Sequence, residues 1–339
     1  MQATTEHATL AGFWNNYPQE AYEFLTETRM GNLLFSNILI RHGEHVLILG
    51  SPGSGKTQKL TFLAAWLAPL ETIVWVDSCK DNECTPLLTF GRKIRFIIPA
   101  WCSLEVENSP CEYEVVEAGT PESVWQLVKP GAINILPIRL YFRNERARSV
   151  WLRDMFKGLI EQAYNIGKKK QPNLNKILPL SVFADEFHNF CPSQNVTSDR
   201  GRIAIGQEIA INILEGRAFD IRLVGGTQDW SSLNPIARRN LPSRVCCRGT
   251  VISQSDSPQL FRIRKYFAHY NPNQGLFVFS NGEYYPTNQP WSFPFFRHPD
   301  KCNVVYNGWH DEPETGWAEF EQHEQLIGNW ERYAGIYAR

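Results

Sequence analysis

Eight consecutive residues, Gly50-Ser51-Pro52-Gly53-Ser54-Gly55-Lys56-Thr57, have the types and spacing to hold a polyphosphate. They fit the pattern G-x-x-x-x-G-K-[ST] without a mismatch. Glycines let the backbone curl until several N–H groups point inward at phosphate oxygens. Lys56 then reaches the β- and γ-phosphates as a point charge, and the Thr57 hydroxyl is placed to bind Mg²⁺, which takes oxygen ligands. The flanks agree. Residues 44–49 read as a buried strand and residues 55–67 as a helix, the strand–loop–helix order that a nucleotide site at a helix N-terminus requires.

A second group supplies acids. Ile177 to Ala184 is an apolar run that leads straight into Asp185-Glu186. A strand ending this way puts both carboxyls at the carboxyl edge of an open α/β sheet, where ligands of such sheets sit. Asp185 is the expected Mg²⁺ carboxylate and Glu186 the general base that polarises an attacking water. His188 follows closely, and a structural histidine is a plainer reading for it than a ligand.

A third block begins at Glu215-Gly216-Arg217-Ala218-Phe219-Asp220-Ile221 and runs into a strand ending Gly226-Thr227-Gln228. Pro242-Ser243-Arg244 then precedes another strand. With Gly50–Thr57 and Asp185-Glu186, these features resemble the FtsK/HerA superfamily of ring-forming DNA-pumping ATPases, over roughly residues 40 to 290. That superfamily includes viral genome-packaging ATPases and conjugative coupling proteins. The first two motifs are shared by many phosphate-loop ATPases, so the Gly-Arg…Thr-Gln block discriminates.

The resemblance implies an α/β, RecA-like phosphate-loop NTPase with a mostly parallel central sheet. It implies ATP and Mg²⁺ as cofactors, double-stranded DNA as cargo, and a homo-oligomeric, hexameric ring. Gln228 becomes the sensor of the γ-phosphate. Arg217 and Arg244 become candidates for the arginine that stabilises transition-state charge, in cis or across a subunit boundary; Arg238, Arg239 and Arg248 are weaker candidates. A viral packaging motor is the leading expectation, in a cytoplasmic or virion-associated setting, with a capsid or membrane complex as docking partner. A conjugative DNA pump and a protein-handling secretion or assembly ATPase share the same core and stay open.

The elements that must position these residues are legible as alternating strands and helices, which argue a parallel sheet covered on both faces. Further strands are expected at residues 72–77, 94–98 and 132–136, and helices at 145–167 and 206–219. The acidic stretch 99–128 reads as an irregular insertion at the rim. Residues 1–40 read as an N-terminal helical extension, 41–288 as the motor domain, and 289–339 as an extended arm rich in Pro, Trp and Phe. A hairpin is expected around Asn281-Gly282. Lys168-Lys169-Lys170 suits the negative end of the preceding helix better than a DNA contact.

Composition bounds the rest. The chain has 339 residues, 43% hydrophobic and 20% charged, which is globular. Its net charge of −1 provides no global basic field, so a nucleic-acid contact must be a local patch. The longest apolar run, Leu60 to Leu70, is too short to span a membrane. Eight cysteines without an export signal read as reduced, buried thiols. The spacing of Cys79, Cys84, Cys102 and Cys111 is not that of a zinc ribbon or finger.

Overall fold

The structure is a computed structural model that describes residues 44–77, 82–100, 102–138, 145–168, 177–255, 257–278, 291–293 and 295–307. Its strands are β1 (Val46–Leu49), β2 (Thr72–Asp77), β3 (Lys93–Pro99), β4 (Ser103–Glu107), β5 (Tyr113–Ala118), β6 (Ala132–Pro137), β7 (Leu180–Ala184), β8 (Ile221–Thr227), β9 (Ser243–Cys247), β10 (Gln274–Val278), β11 (Trp291–Ser292) and β12 (Asn303–Asn307). Its helices are α1 (Lys56–Leu67), α2 (Val124–Leu127), α3 (Glu145–Lys168), α4 (Arg200–Gly216), α5 (Pro235–Asn240) and α6 (Pro258–Phe267).

Ten strands form one sheet in the order β11-β10-β9-β1-β8-β7-β2-β6-β3-β5. The eight from β9 to β5 run parallel; β10 and β11 close one side antiparallel. This is the expected RecA-like α/β architecture. Its central strands are buried along their whole length because both faces are covered. Alternation divides β1 between two cores. Leu47 and Leu49 join the core under α3 and α4, and Val46 and Ile48 join the core under α1. On the α1 side Trp75 stacks on Phe183 at 5.9 Å between centroids.

Strand β8 lies between β1 and β7, and this insertion positions the site. Leu49 pairs with Thr227, and Ala184 with Gly225. Strands β1 and β8 therefore end level and β7 ends two residues short, so Gly50 emerges beside Gln228 and Asp185 beside Gly226.

Three expectations are revised. Residues 99–128 are not irregular: they hold β4, β5 and α2, and β5 pairs with β3 as a further parallel strand. Their acids misled because Glu114 and Glu117 occupy exposed positions of a strand with one side in solvent. Helix α4 starts at Arg200, six residues before the expected position, capped by Asp199 Oδ1, which accepts from Gly201 N at 2.8 Å and Arg202 N at 3.2 Å. The described part of the expected arm lies on this same core: β12 pairs with β4, and Phe293 and Phe296 are buried. The expected helix within residues 21–39, the Asn281-Gly282 hairpin and Cys79 lie outside the described residues.

The amino edge of the sheet carries buried charge. Arg222 donates to Glu71 at 2.9 Å, and Ser181 Oγ donates to the other Glu71 oxygen. Glu44 accepts from Ser243 Oγ at 2.6 Å. His45 Nδ1 accepts from Leu223 N at 3.0 Å. Burial, opposed by the Ile213 backbone and joined by the cations Arg217 and Arg222, lowers the His45 pKa from 6.5 to about 4. Among the described residues the cysteines are free thiols; burial pushes Cys246 up to about 12 and Cys247 up to about 11.

Because the folded pKa of His45 lies below its unfolded value, the unfolded chain binds the extra proton between pH 6.5 and 4. Stability should fall as pH drops through that window, by about 3 kcal/mol for this group alone. Urea unfolding midpoints measured from pH 7 to pH 4.5 should fall less steeply in His45→Gln than in the wild type.

Candidate functional site

The phosphate loop forms because its two positive-φ positions are glycines, Gly53 at +70° and Gly55 at +76°. It is strapped at its base: Gly50 N donates to Thr227 O at 3.3 Å, and Ser51 N to Arg248 O at 3.0 Å. Inside the loop Ser54 N donates to Ser51 O at 3.1 Å. Lys56 is buried, with Nζ 3.4 Å from Ser51 O across the loop. Ser54 Oγ is buried with no hydrogen-bond partner among the described residues. The loop thus keeps a polar hydroxyl, an ammonium and the N-terminal amides of α1 turned to one concavity.

The structure brings the acids to this concavity. Thr57 Oγ1 donates to Asp185 Oδ2 at 2.6 Å, and Asp185 Oδ1 accepts from Glu186 N at 2.8 Å. Between them stands Gly226, where a Cβ would collide with Asp185 Oδ1 and crowd Leu60. Glu186 has φ 46° and ψ 44°, a left-handed conformation that costs a non-glycine residue on the order of 1 kcal/mol. The turn aims its carboxylate back across the sheet edge. Gln228 Nε2 donates to Glu186 Oε1 at 3.1 Å. Glu186 Oε2 is buried without a hydrogen bond, 3.4 Å from His188 Nδ1.

His188 is more than a packed side chain. Its Nδ1 also lies 3.2 Å from Thr227 Oγ1, so it joins the ends of β7 and β8. Burial lowers its pKa, against the pull of the Glu186 and Asp185 carboxylates. Only its place two residues beyond Glu186 could have signalled this.

Neither favoured arginine reaches its own phosphate loop. Arg217 follows α4 at the opposite, amino edge of the sheet, 52% exposed and 3.8 Å from Glu44 Oε2. Arg244 is the second residue of β9, and its guanidinium lies 4.0 Å over the Trp230 ring. The resemblance supplied a motif but not the edge on which it falls. The arginine at the loop is Arg248, whose Nη2 donates to Gly53 O at 3.2 Å.

Sequence reasoning also missed Lys59. It is fully buried behind the loop and donates to Ser54 O and Gly55 O at 3.3 Å each and to Pro272 O at 2.6 Å. Burial lowers its pKa. A lysine in the first turn of a helix reads as exposed unless the residues packed on it are known.

The donor set fits a magnesium–nucleoside triphosphate. Thr57 and Asp185 offer the hard oxygens Mg²⁺ prefers. The buried Ser54 hydroxyl and the α1 amides suit phosphate oxygens.

No family model matches the chain, and no curated protein does. Solved structures similar to it include the following three. One is the genome packaging NTPase B204 from Sulfolobus turreted icosahedral virus 2 in complex with AMP, with 12% identity over 74% of this chain and 98% of that one, TM-score 0.42. Another is EssC (ATPases 2 and 3) from Geobacillus thermodenitrificans, with 13% identity over 76% of this chain and 41% of that one, TM-score 0.41. The third is the pCW3 conjugation coupling protein TcpA with ATPγS, with 14% identity over 77% of this chain and 62% of that one, TM-score 0.38.

Gly226→Ala should drive Asp185 away from Thr57 while leaving the sheet paired. Isothermal titration calorimetry should then show at least about tenfold weaker magnesium-dependent nucleotide binding, with an unchanged circular dichroism spectrum.

Proposed function

We propose that this chain is a magnesium-dependent ATPase whose turnover drives double-stranded DNA through a homo-oligomeric ring, as in a viral genome-packaging motor. The observation that carries the ATPase reading is the convergence of three strand ends on one loop: Thr57 on Asp185 at 2.6 Å and Gln228 on Glu186 at 3.1 Å. The DNA-pumping reading rests on the Glu215–Ile221 and Gly226–Gln228 block described from the sequence.

In this reading the amides of Gly53 to Thr57 cradle the α- and β-phosphates, and the ammonium of Lys56 reaches the β- and γ-phosphates. Thr57 and Asp185 hold Mg²⁺, which offsets charge on the phosphate oxygens when bound. Glu186 orients a water and takes its proton at Oε2, the oxygen left without a hydrogen bond. Gln228 holds Oε1 and fixes the carboxylate, so a change at the γ-phosphate is felt at the end of β8. Arg248 is the arginine suited to act in cis. Arg217, exposed at the far edge, is suited to act on the loop of another subunit. The hexamer, its capsid or membrane docking partner and a virion-associated setting belong to this proposal. Among the described residues no helix is long and apolar enough to cross a membrane.

The test is ATP turnover of the purified protein at low and moderate salt, with and without long double-stranded DNA. Stimulation by DNA that fades with salt supports the motor. Turnover indifferent to DNA removes the translocase and leaves the ATPase. Glu186→Gln should bind ATP and hydrolyse it at least about a hundredfold more slowly, whereas Lys56→Ala should lose binding itself. Wild-type hydrolysis by Glu186→Gln would take Glu186 out of its role.

A further inference from the structure

We propose that Phe295 and Phe296 build the subsite for the nucleotide's base, with the ring of Phe295 as its stacking face. The inference rests on the nucleotide reading of the phosphate loop and adds a binding site to it.

The N-terminal amides of α1 cradle the phosphates nearest the sugar. Ribose and base must therefore leave the loop past the first turn of that helix. Gln58, the residue after Thr57, stands in that turn. Its carboxamide clamps the backbone of Phe296 on both sides, accepting from Phe296 N at 2.8 Å and donating to Phe296 O at 3.0 Å. The C-terminal segment is thus fixed against the helix beside which the base must lie.

The aromatic residues of this segment divide in two. Phe293 and Phe296 are anchors: both are buried, one edge-on to Phe62 at 5.4 Å and the other edge-on to Phe90 at 5.2 Å. Phe295, held between a clamped neighbour and the solvent, is 66% exposed. An anchored backbone that presents one bare ring beside a phosphate loop is suited to stack a planar heterocycle. The other flank is tied to the same turn. Lys59 Nζ holds Pro272 O at 2.6 Å, and Phe293 N donates to Asn273 O at 2.7 Å. Stacking reads a π-face and not its edge pattern, so this subsite favours the presence of a base over its identity.

The experiment titrates the full chain, with Mg²⁺, against ADP and separately against inorganic pyrophosphate, for the wild type, Phe295→Ala and Phe295→Tyr. Phe295→Ala should bind ADP about tenfold more weakly and pyrophosphate unchanged, a loss within the range of base–aromatic stacking. Phe295→Tyr should keep ADP affinity within about twofold of wild type. ADP affinity unchanged in Phe295→Ala overturns the base subsite and leaves the nucleotide site standing. Equal loss of ADP and pyrophosphate also overturns it, since the segment then only supports the loop. A wild type that binds neither overturns the nucleotide reading, and the base subsite with it.

Discussion

The hydrogen bond from Thr57 to Asp185 spans the end of a whole strand, and the rest of the site depends on that reach. Thr57 belongs to the helix after β1, Asp185 to the end of β7, and β8 lies between them. The contact at 2.6 Å is possible because β7 stops opposite Gly225 while β1 and β8 run on together to Leu49 and Thr227, and because residue 226 has no side chain. Strand register is therefore not a detail of the fold here. A slip of one residue in β7 or β8 would invert every side chain beyond it and send Asp185 to the wrong face.

Both edges of the sheet bury polar groups. At the amino edge, Arg222, Glu71 and Ser181 form a buried, mutually bonded set, and Glu44 is bound by Ser243. Such groups gain little over an apolar packing but cost several kcal/mol, on the order of 3 or more, if one partner is removed. They hold strand ends in one arrangement. At the carboxyl edge, Ser54 Oγ and Glu186 Oε2 are buried without hydrogen bonds, and Glu186 sits in a strained backbone conformation. A strained residue and unmet polar atoms beside the phosphate loop fit a preorganised binding site.

The parts of this arrangement that are local in the chain were legible from the sequence. A phosphate loop is eight consecutive residues whose geometry is set by its own glycines, and an apolar run ending in Asp185-Glu186 states its own edge. What crosses between distant segments was not legible. Lys59 owes its burial to Pro272 and Phe293, more than two hundred residues away, and nothing in the α1 sequence announces them. Arg217 and Arg244 were matched to motifs, yet motif matching carries no information on sheet edge; topology put one at the amino edge and the other over Trp230. Residues 99–128 failed for a different reason. Acids at the exposed positions of β5 imitate a solvated loop, because half of that strand's surface is solvated.

The C-terminal segment completes what the sheet begins. A parallel sheet leaves the first turn of the helix after its phosphate loop open on the outer side, since no strand lies beyond it. Here that turn is covered by residues that come last in the described chain: Gln58 brackets Phe296, Lys59 lies 5.3 Å from the Phe293 ring, and Pro272 O caps the Lys59 ammonium. The same residues reach the back of the loop through Ser54 O and Gly55 O. Loop shape and segment position are then coupled through one buried ammonium, which has no water to fall back on if either partner moves. A displacement of Gly55 toward bound phosphate must be shared with Pro272 or break a 2.6 Å charge-assisted bond. Residues 272–296 are in this way mechanically coupled to the phosphate loop.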